Sequence, residues 1–129
     1  MATLTNAGLE GIAKLLNGVS TAPFKYVAVG SGITAEAIDQ TELANEITTN
    51  GLGRAEATCG YEATGKATWS KELVSTADGM QINEVAIFDA ATAGNSNTLM
   101  RHKYSSTKAL DNTESLTVSI VYTQERKVA

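Results

Sequence analysis

The feature that most constrains the fold is the alternation of apolar and polar side chains between residues 54 and 123. Residues 54–61 alternate polar and apolar side chains, and residues 116–123 alternate larger apolar side chains with mostly hydroxylated ones. A period of two residues is typical of a strand with one buried face. Turn signals separate such segments about every eight to twelve residues, a spacing typical of antiparallel sandwiches. We therefore predict an all-β fold, an antiparallel β-sandwich or jelly roll.

The remaining strands are predicted from apolar runs between turn signals. They cover residues 25–29, 66–74, 80–88 and 98–104, which gives about six or seven strands in all. Ala67, Trp69 and Leu73 share one predicted buried face, and Cys59 is predicted to face the core beside Ala57 and Tyr61. The polar stretch 33–47 is predicted to be irregular with a helical turn at 41–46, and residues 105–115 are predicted to be a polar connection.

One helix is predicted over residues 5–18. Thr5 is a suitable N-cap, an apolar stripe follows at helical spacing, and Gly18 can adopt the left-handed conformation that ends a helix. Gly8 and Gly11 lower its intrinsic helix propensity, so the helix needs a surface to pack against. We divide the chain into an N-terminal arm with this helix, residues 1–24, and a β-sandwich, residues 25–129. Together they form one domain, as expected for 129 residues.

Composition excludes several classes of function. The net charge of −4 argues against nucleic acid as a partner, because phosphate binders carry clustered positive charge. No apolar run reaches the length of a membrane span, so no membrane association is predicted. Cys59 is the single cysteine, which excludes an intrachain disulfide. The first residues lack the pattern of a signal peptide, and assembly in a host cytoplasm is expected.

The stretch YVAVGSGITAEA, residues 26–37, satisfies the relaxed dinucleotide fingerprint G-x-G-x-x-A. That fingerprint requires a strand, a loop and a long helix in a parallel sheet. Here the loop is followed by predicted hairpins, and Glu36 and Asp39 would repel a pyrophosphate. We interpret Gly30 and Gly32 as residues that permit a turn from strand to loop.

No pattern of side chains indicates catalysis. His102 and Cys59 could meet across neighbouring strands, but no nucleophile signature surrounds them, and we predict a surface histidine and a buried cysteine. The carboxylates are scattered, except that Glu84 lies in the most apolar strand and is predicted to bond a polar group of a neighbouring strand. We predict no catalytic, cofactor-binding or metal-ligating residue, no cofactor, and a protein that acts through its surface rather than as an enzyme.

A series of short motifs resembles the small structural proteins of tailed bacteriophages. In chain order the motifs are Leu4-Thr5-Asn6-Ala7-Gly8, residues 29–35 (VGSGITA), Arg54-Ala55, residues 84–94 (EVAIFDAATAG) and the closing segment 111–123. The family includes jelly-roll capsid decoration, or cement, proteins, and some relatives are labelled tail-fibre or baseplate proteins. Two positions depart from the pattern: Ala86 stands where glycine is usual, and Ala93-Gly94 replaces a Gly-Gly turn.

The resemblance implies a virion protein that binds the phage major capsid protein on the capsid exterior and stabilises contacts between its subunits. It also implies self-association as a dimer or trimer. The alternative is a tail-fibre, baseplate or receptor-contacting protein, in which Tyr61, Trp69 and Tyr104 could stack on sugars. We predict that the N-terminal arm docks on the partner, with loops 33–50 and 90–97 as further contacts. The predicted docking residues are Leu4, Thr5, Leu9, Ile12, Leu16 and Phe24.

Overall fold

The structure is a computed structural model that describes residues 2–94 and 97–126, so parts of the predicted loop 90–97 and of the polar tail lie outside it. The described chain forms two antiparallel sheets and one helix, which confirms the predicted all-β sandwich with a short N-terminal helix. The elements are β1 (Thr3–Leu4), α1 (Asn6–Leu16), β2 (Tyr26–Gly30), β3 (Ala55–Glu56), β4 (Thr58–Ala63), β5 (Lys66–Val74), β6 (Met80–Phe88), β7 (Thr98–Leu110) and β8 (Ser115–Thr123). The large sheet has the order β1-β7-β6-β2-β3, and the small sheet has the order β4-β5-β8.

The main core lies between the two sheets. Val27, Val29 and Ile87 of the large sheet belong to the same buried cluster as Trp69 and Leu73 of the small sheet. The predicted burial of Trp69 and Leu73 on one face of β5 is therefore confirmed. Alternation produces this arrangement because every second side chain of a strand points to the same face.

The opposite face of the large sheet is covered by the long segment between β2 and β3. Leu43 from this segment packs with Ala28, Ala86 and Phe88 in a second buried cluster. The helical turn predicted at 41–46 is wrong, since these residues form no helix. The backbone N–H groups of Ala44 and Asn45 donate to the carboxylate of Glu84 on β6. These groups are therefore hydrogen-bonded to the large sheet and not to carbonyls of a helical turn.

The N-terminal helix begins and ends as predicted. Thr5 is the N-cap, and its Oγ1 accepts a hydrogen bond from the Gly8 N–H at 3.0 Å. Gly18 follows the helix with a φ of +79°. A Cβ on Gly8 would overlap the Leu99 carbonyl, so this glycine allows α1 to lie directly on β7. Among the described residues, no helix is long and apolar enough to cross a membrane.

Two strand predictions need correction. The strand predicted over residues 54–61 divides at Ala57, with β3 pairing β2 in the large sheet and β4 pairing β5 in the small sheet. The polar connection predicted at 105–115 is wrong for its first half, because β7 continues to Leu110. The last residues of β7 pair with the start of β6. This pairing satisfies the backbone hydrogen-bonding groups of a segment whose polar sequence does not predict a strand.

Candidate docking surface

An apolar cleft opens where α1 meets the small sheet. One part of the cleft has a volume of about 260 Å³, and its walls come from α1, from the segment after it, from the small sheet and from Leu99 of the large sheet. The lining residues are Ile12, Leu15, Pro23, Phe24, Ala67, Trp69, Leu99 and Tyr122. No charged side chain lines this part of the cleft, so it offers a surface on which another apolar surface can pack.

The cleft continues in two directions from Tyr122. A neighbouring hollow of about 330 Å³ shares Trp69, Leu99 and Tyr122 with the first part and extends to Leu4 of β1. A shallower hollow of about 230 Å³ shares Tyr122 and reaches Tyr61 on β4. We use the name apolar cleft for these three neighbouring hollows, because Tyr122 lines all of them; Lys66 also lines the third.

Two local contacts fix the floor of the cleft. The Trp69 indole Nε1–H donates to the Phe24 carbonyl at 2.7 Å, which satisfies its one polar group and leaves the ring to apolar contacts. The Phe24 ring lies against Gly11 of α1, where a Cβ would meet Cζ at the edge of the ring. The glycines that weaken the isolated helix are therefore the residues that allow it to pack here.

The small sheet extends past the cover of the large sheet at β4. Cys59 pairs with Trp69 and Tyr61 pairs with Ala67, so both side chains point to the face that carries the core. All six residues of β4 are nevertheless exposed, and Tyr61 is 74% exposed. The predicted burial of Cys59 and Tyr61 is wrong: the alternation gives the face correctly, but no described element covers that face at β4.

The predicted docking residues have different environments in the structure. Thr5 and Phe24 are buried within the fold, and Leu4 and Ile12 are half-buried on the walls of the apolar cleft. Leu9 and Leu16 lie on the open side of α1, at 55% and 88% exposure. The docking role of these residues stays a prediction. Sequence reasoning missed Leu15, Leu99 and Tyr122, although Tyr122 stood at the end of a clear alternating strand.

The glycine motif has a structural role at a buried carboxylate. Glu84 accepts hydrogen bonds from the backbone N–H groups of Gly32, Ala44 and Asn45 at 2.7–2.8 Å and from Arg101 Nε at 2.9 Å. The predicted bond from Glu84 to a neighbouring strand is thus confirmed, since Arg101 lies on β7. β2 ends at Gly30 and an irregular segment follows, so the predicted passage from strand to loop is confirmed, although neither Gly30 nor Gly32 has a positive φ value. A Cβ on Gly30 would lie 2.5 Å from Glu84 Oε2, and a Cβ on Gly32 would lie 2.4 Å from the same atom. The close approach of the chain to this carboxylate therefore leaves no room for a side chain at either position.

The possible Cys–His pair is not formed. Cys59 lies on β4 of the small sheet and His102 on β7 of the large sheet. Partial desolvation and the Glu56 carboxylate raise the pKa of the Cys59 thiol, the opposite of what activates a nucleophile. Within residues 2–94 and 97–126, no three His, Cys, Asp or Glu side chains are grouped so as to hold a metal ion.

Comparison with known proteins identifies one family. No curated protein matches the sequence. Residues 4–124 match the family described as Podophage GP4 fiber I protein gp80. This range runs from β1 to the residue after β8 and so includes both sheets, α1 and the apolar cleft. The chain therefore belongs to the podophage GP4 fiber I protein gp80 family and is a structural, fibre-type protein of a phage virion.

Proposed function

We propose that the protein is a component of a podophage tail fibre and that it acts by binding other virion proteins through the apolar cleft. The observation that carries this proposal is the family match over residues 4–124, because the family is described as a fibre protein. The match includes every element that lines the cleft.

The composition of the apolar cleft supports a binding role. Trp69 and Tyr122 both line it, and aromatic side chains of this kind often supply most of the energy of a protein interface. Apolar area removed from water contributes about 25 cal/mol per Å², so covering the cleft would favour association. In a fibre, several such contacts act together through their high effective concentration.

Binding without catalysis is part of the same proposal. The fully buried charged residues Glu84 and Arg101 form a hydrogen-bonded ion pair inside the fold, where a substrate cannot reach them. Cys59 and His102 are held on different sheets. We therefore assign the function to surface contact, with the apolar cleft as the binding site.

The capsid-decoration hypothesis predicts a different position in the same virion. A decoration protein would cover a lattice of many coat subunits, whereas a fibre protein is present in the few symmetric copies of a tail appendage. The fibre alternative fits the family's description better.

The test is to locate and count the protein in purified virions. Fab fragments raised against the folded protein would be imaged on virions by cryo-electron microscopy, and quantitative mass spectrometry would give the copy number relative to the coat protein. Labelling at the tail with few copies is expected. Labels distributed over the head at a copy number comparable to that of the coat protein would overturn the proposal in favour of decoration.

A second experiment tests the cleft itself. Ala67→Glu places a carboxylate on the cleft wall, and Ser70→Glu places one on the exposed outer face of the same strand. Each variant would complement a phage that lacks the gene, after circular dichroism has shown that both fold. Loss of virion incorporation for Ala67→Glu alone is expected. Equal incorporation of both variants would rule out the cleft as the docking surface.

A further inference from the structure

The last strand of the small sheet has an unprotected edge. β8 spans nine residues, Ser115–Thr123, and pairs with β5 without any shift in register. It lies at one end of the order β4-β5-β8, so its far edge has no partner among the described residues. Its sequence, SLTVSIVYT, contains no charged residue, proline or glycine.

The hydrogen bonds at the two ends of the strand show which backbone groups face that edge. The Ser75 N–H donates to the Glu114 carbonyl at 2.8 Å, and the Gln124 N–H donates to the Gly65 carbonyl at 2.7 Å. Bonded pairs alternate along an antiparallel ladder, so the even-numbered residues of this segment face β5. The N–H and C=O groups of Thr117, Ser119 and Val121 therefore point to the free edge.

The other edges carry the features that normally prevent strand pairing. β1 and β3 have only two residues each. β4 contains Glu62 and a register shift between Tyr61 and Ala63. The part of β7 beyond β1 carries two lysines and a register shift, and the Lys103 N–H is already bonded to Glu36. Long, uncharged and regular edges are rare in monomers because they template pairing with another chain.

We propose that a second copy of this chain pairs with β8 through its own β8, in antiparallel orientation about a two-fold axis at Ser119. In this register all nine residues are paired, since Ser119 faces Ser119 of the second copy and Thr117 faces Val121. In this register the odd-numbered residues of the two β8 strands form the hydrogen-bonded pairs, and these are the residues whose N–H and C=O groups point to the free edge. The product is one continuous six-stranded sheet, ordered β4-β5-β8-β8-β5-β4.

A second copy fits this edge in charge and in side-chain packing. The chain carries a net charge of −4, yet in this register Glu114 lies beside Gln124 of the second copy and not beside another acid. On the inner face, the half-buried Leu116 would be covered by the half-buried Tyr122 of the second copy. Cross-strand contacts between the side chains of facing residues stabilise antiparallel sheets.

The test is the oligomeric state of the full chain and of the S119K variant by analytical ultracentrifugation. The wild type is expected to be a dimer. Ser119→Lys brings two lysines into contact at the axis and is expected to raise the dissociation constant roughly tenfold or more. Ser70→Lys is the matched control, since Ser70 lies directly opposite Ser119 on the central strand and is also exposed. It should leave the dimer unchanged.

A mixing experiment tests the position of the axis. S119K and S119E are each expected to be largely monomeric, and an equal mixture is expected to form heterodimers because residue 119 would face its counterpart of opposite charge. Thermal unfolding of each variant confirms that it is folded. A monomeric wild type, a dimer that survives S119K, or an absence of heterodimers would overturn the proposal. These measurements are made in solution, so their outcome is independent of the position of the protein in the virion.

Discussion

The two sheets of the sandwich differ in how much of each is covered. The large sheet is buried on both faces: Val27 and Val29 point to the main core, and Ala28 lies under the segment that joins β2 to β3. The small sheet is covered on one face only, and one of its two edge strands, β4, is exposed along its whole length. The large sheet therefore carries most of the stability, and the small sheet presents most of the surface available to partners.

The polar groups follow the same division. Beneath the connecting segment, Glu84 and Arg101 are fully buried and paired. Glu46 and Arg54 form a second, nearly buried pair, in which the guanidinium also lies 3.7 Å from the centre of the Phe88 ring. A buried ion pair fixes one arrangement of the chain, since a charge left without its partner is costly. The connecting segment is thus held in place over the large sheet.

The first prediction breaks this buried network. Glu84→Ala leaves the Arg101 guanidinium buried without its carboxylate and removes the acceptor for three backbone N–H groups. We expect a loss of about 3–5 kcal/mol in the free energy of unfolding. Equilibrium unfolding in urea measures it.

The control for this change lies in the small sheet. Glu72 is exposed on β5, and Glu72→Ala should change the free energy of unfolding by less than about 0.5 kcal/mol. A similar loss for both variants would contradict the assignment of stability to the large sheet.

The second prediction concerns the space around the same carboxylate. A Cβ on Gly30 would lie 2.5 Å from both Glu84 Oε2 and the Asn45 carbonyl oxygen. Gly30→Ala is therefore expected to cost about 1–3 kcal/mol, as overpacked sites do. Gly53→Ala is the control: its added Cβ would lie 3.3 Å from the nearest atom, the Thr48 carbonyl oxygen, so a smaller loss of stability is expected. Thermal unfolding of the two variants compares them, and equal losses would show that the carboxylate does not restrict this site.

The parts of the fold that the sequence predicts correctly are those set by local pattern. The helix begins at Thr5 because the Thr5 side chain accepts a hydrogen bond from the Gly8 N–H, only three residues further along the chain. The turn at Asn50-Gly51 depends on two adjacent residues with positive φ. The sheet to which a strand belongs is not local. Residues 54–61 have one continuous alternation, yet the chain crosses between sheets at Ala57, and no residue there signals the change.

The candidate docking surface was less predictable for a related reason. Alternation tells which side of β4 Tyr61 occupies, but whether that side is covered depends on how far the large sheet extends. The wall residues Ile12, Leu99 and Tyr122 come from separate elements that only the assembled sandwich brings together. The burial of Glu84 was predictable from its apolar neighbours, whereas its partners at 32, 44 and 45 lie in an irregular segment without a readable pattern.

The third prediction uses pH to probe a contact at the margin of the large sheet. Burial by itself would raise the pKa of Glu36, but hydrogen bonds from Thr3 Oγ1 and the Lys103 N–H, with the nearby His102, together lower that pKa below 4.5. A carboxylate with a lowered pKa stabilises the fold above its unfolded pKa, and the stabilisation is lost as the pH falls through its folded pKa.

Glu36→Gln removes this contribution. At neutral pH the variant is expected to have a lower free energy of unfolding than the wild type, with a smaller loss than that of Gly30→Ala. The difference from the wild type should shrink as the pH falls below 4.5. Urea unfolding of both proteins at a series of pH values measures the difference. A deficit that grows towards low pH would reverse the sign and contradict the assignment.

The last prediction has the smallest effect on stability and bears most directly on the open sheet. Tyr61 is 74% exposed on the uncovered face of β4, so Tyr61→Ser should change the free energy of unfolding by no more than about 0.5 kcal/mol. Phe88→Ala, in the covered large sheet, should cost about 3–5 kcal/mol. If the apolar cleft docks a fibre protein, Tyr61→Ser will also reduce incorporation into virions, measured by competition with the wild type, because a side chain that stabilises no part of its own fold is free to stabilise an interface. A large loss of stability for Tyr61→Ser would instead show that β4 is covered within the monomer, and the contrast between the two sheets would fail.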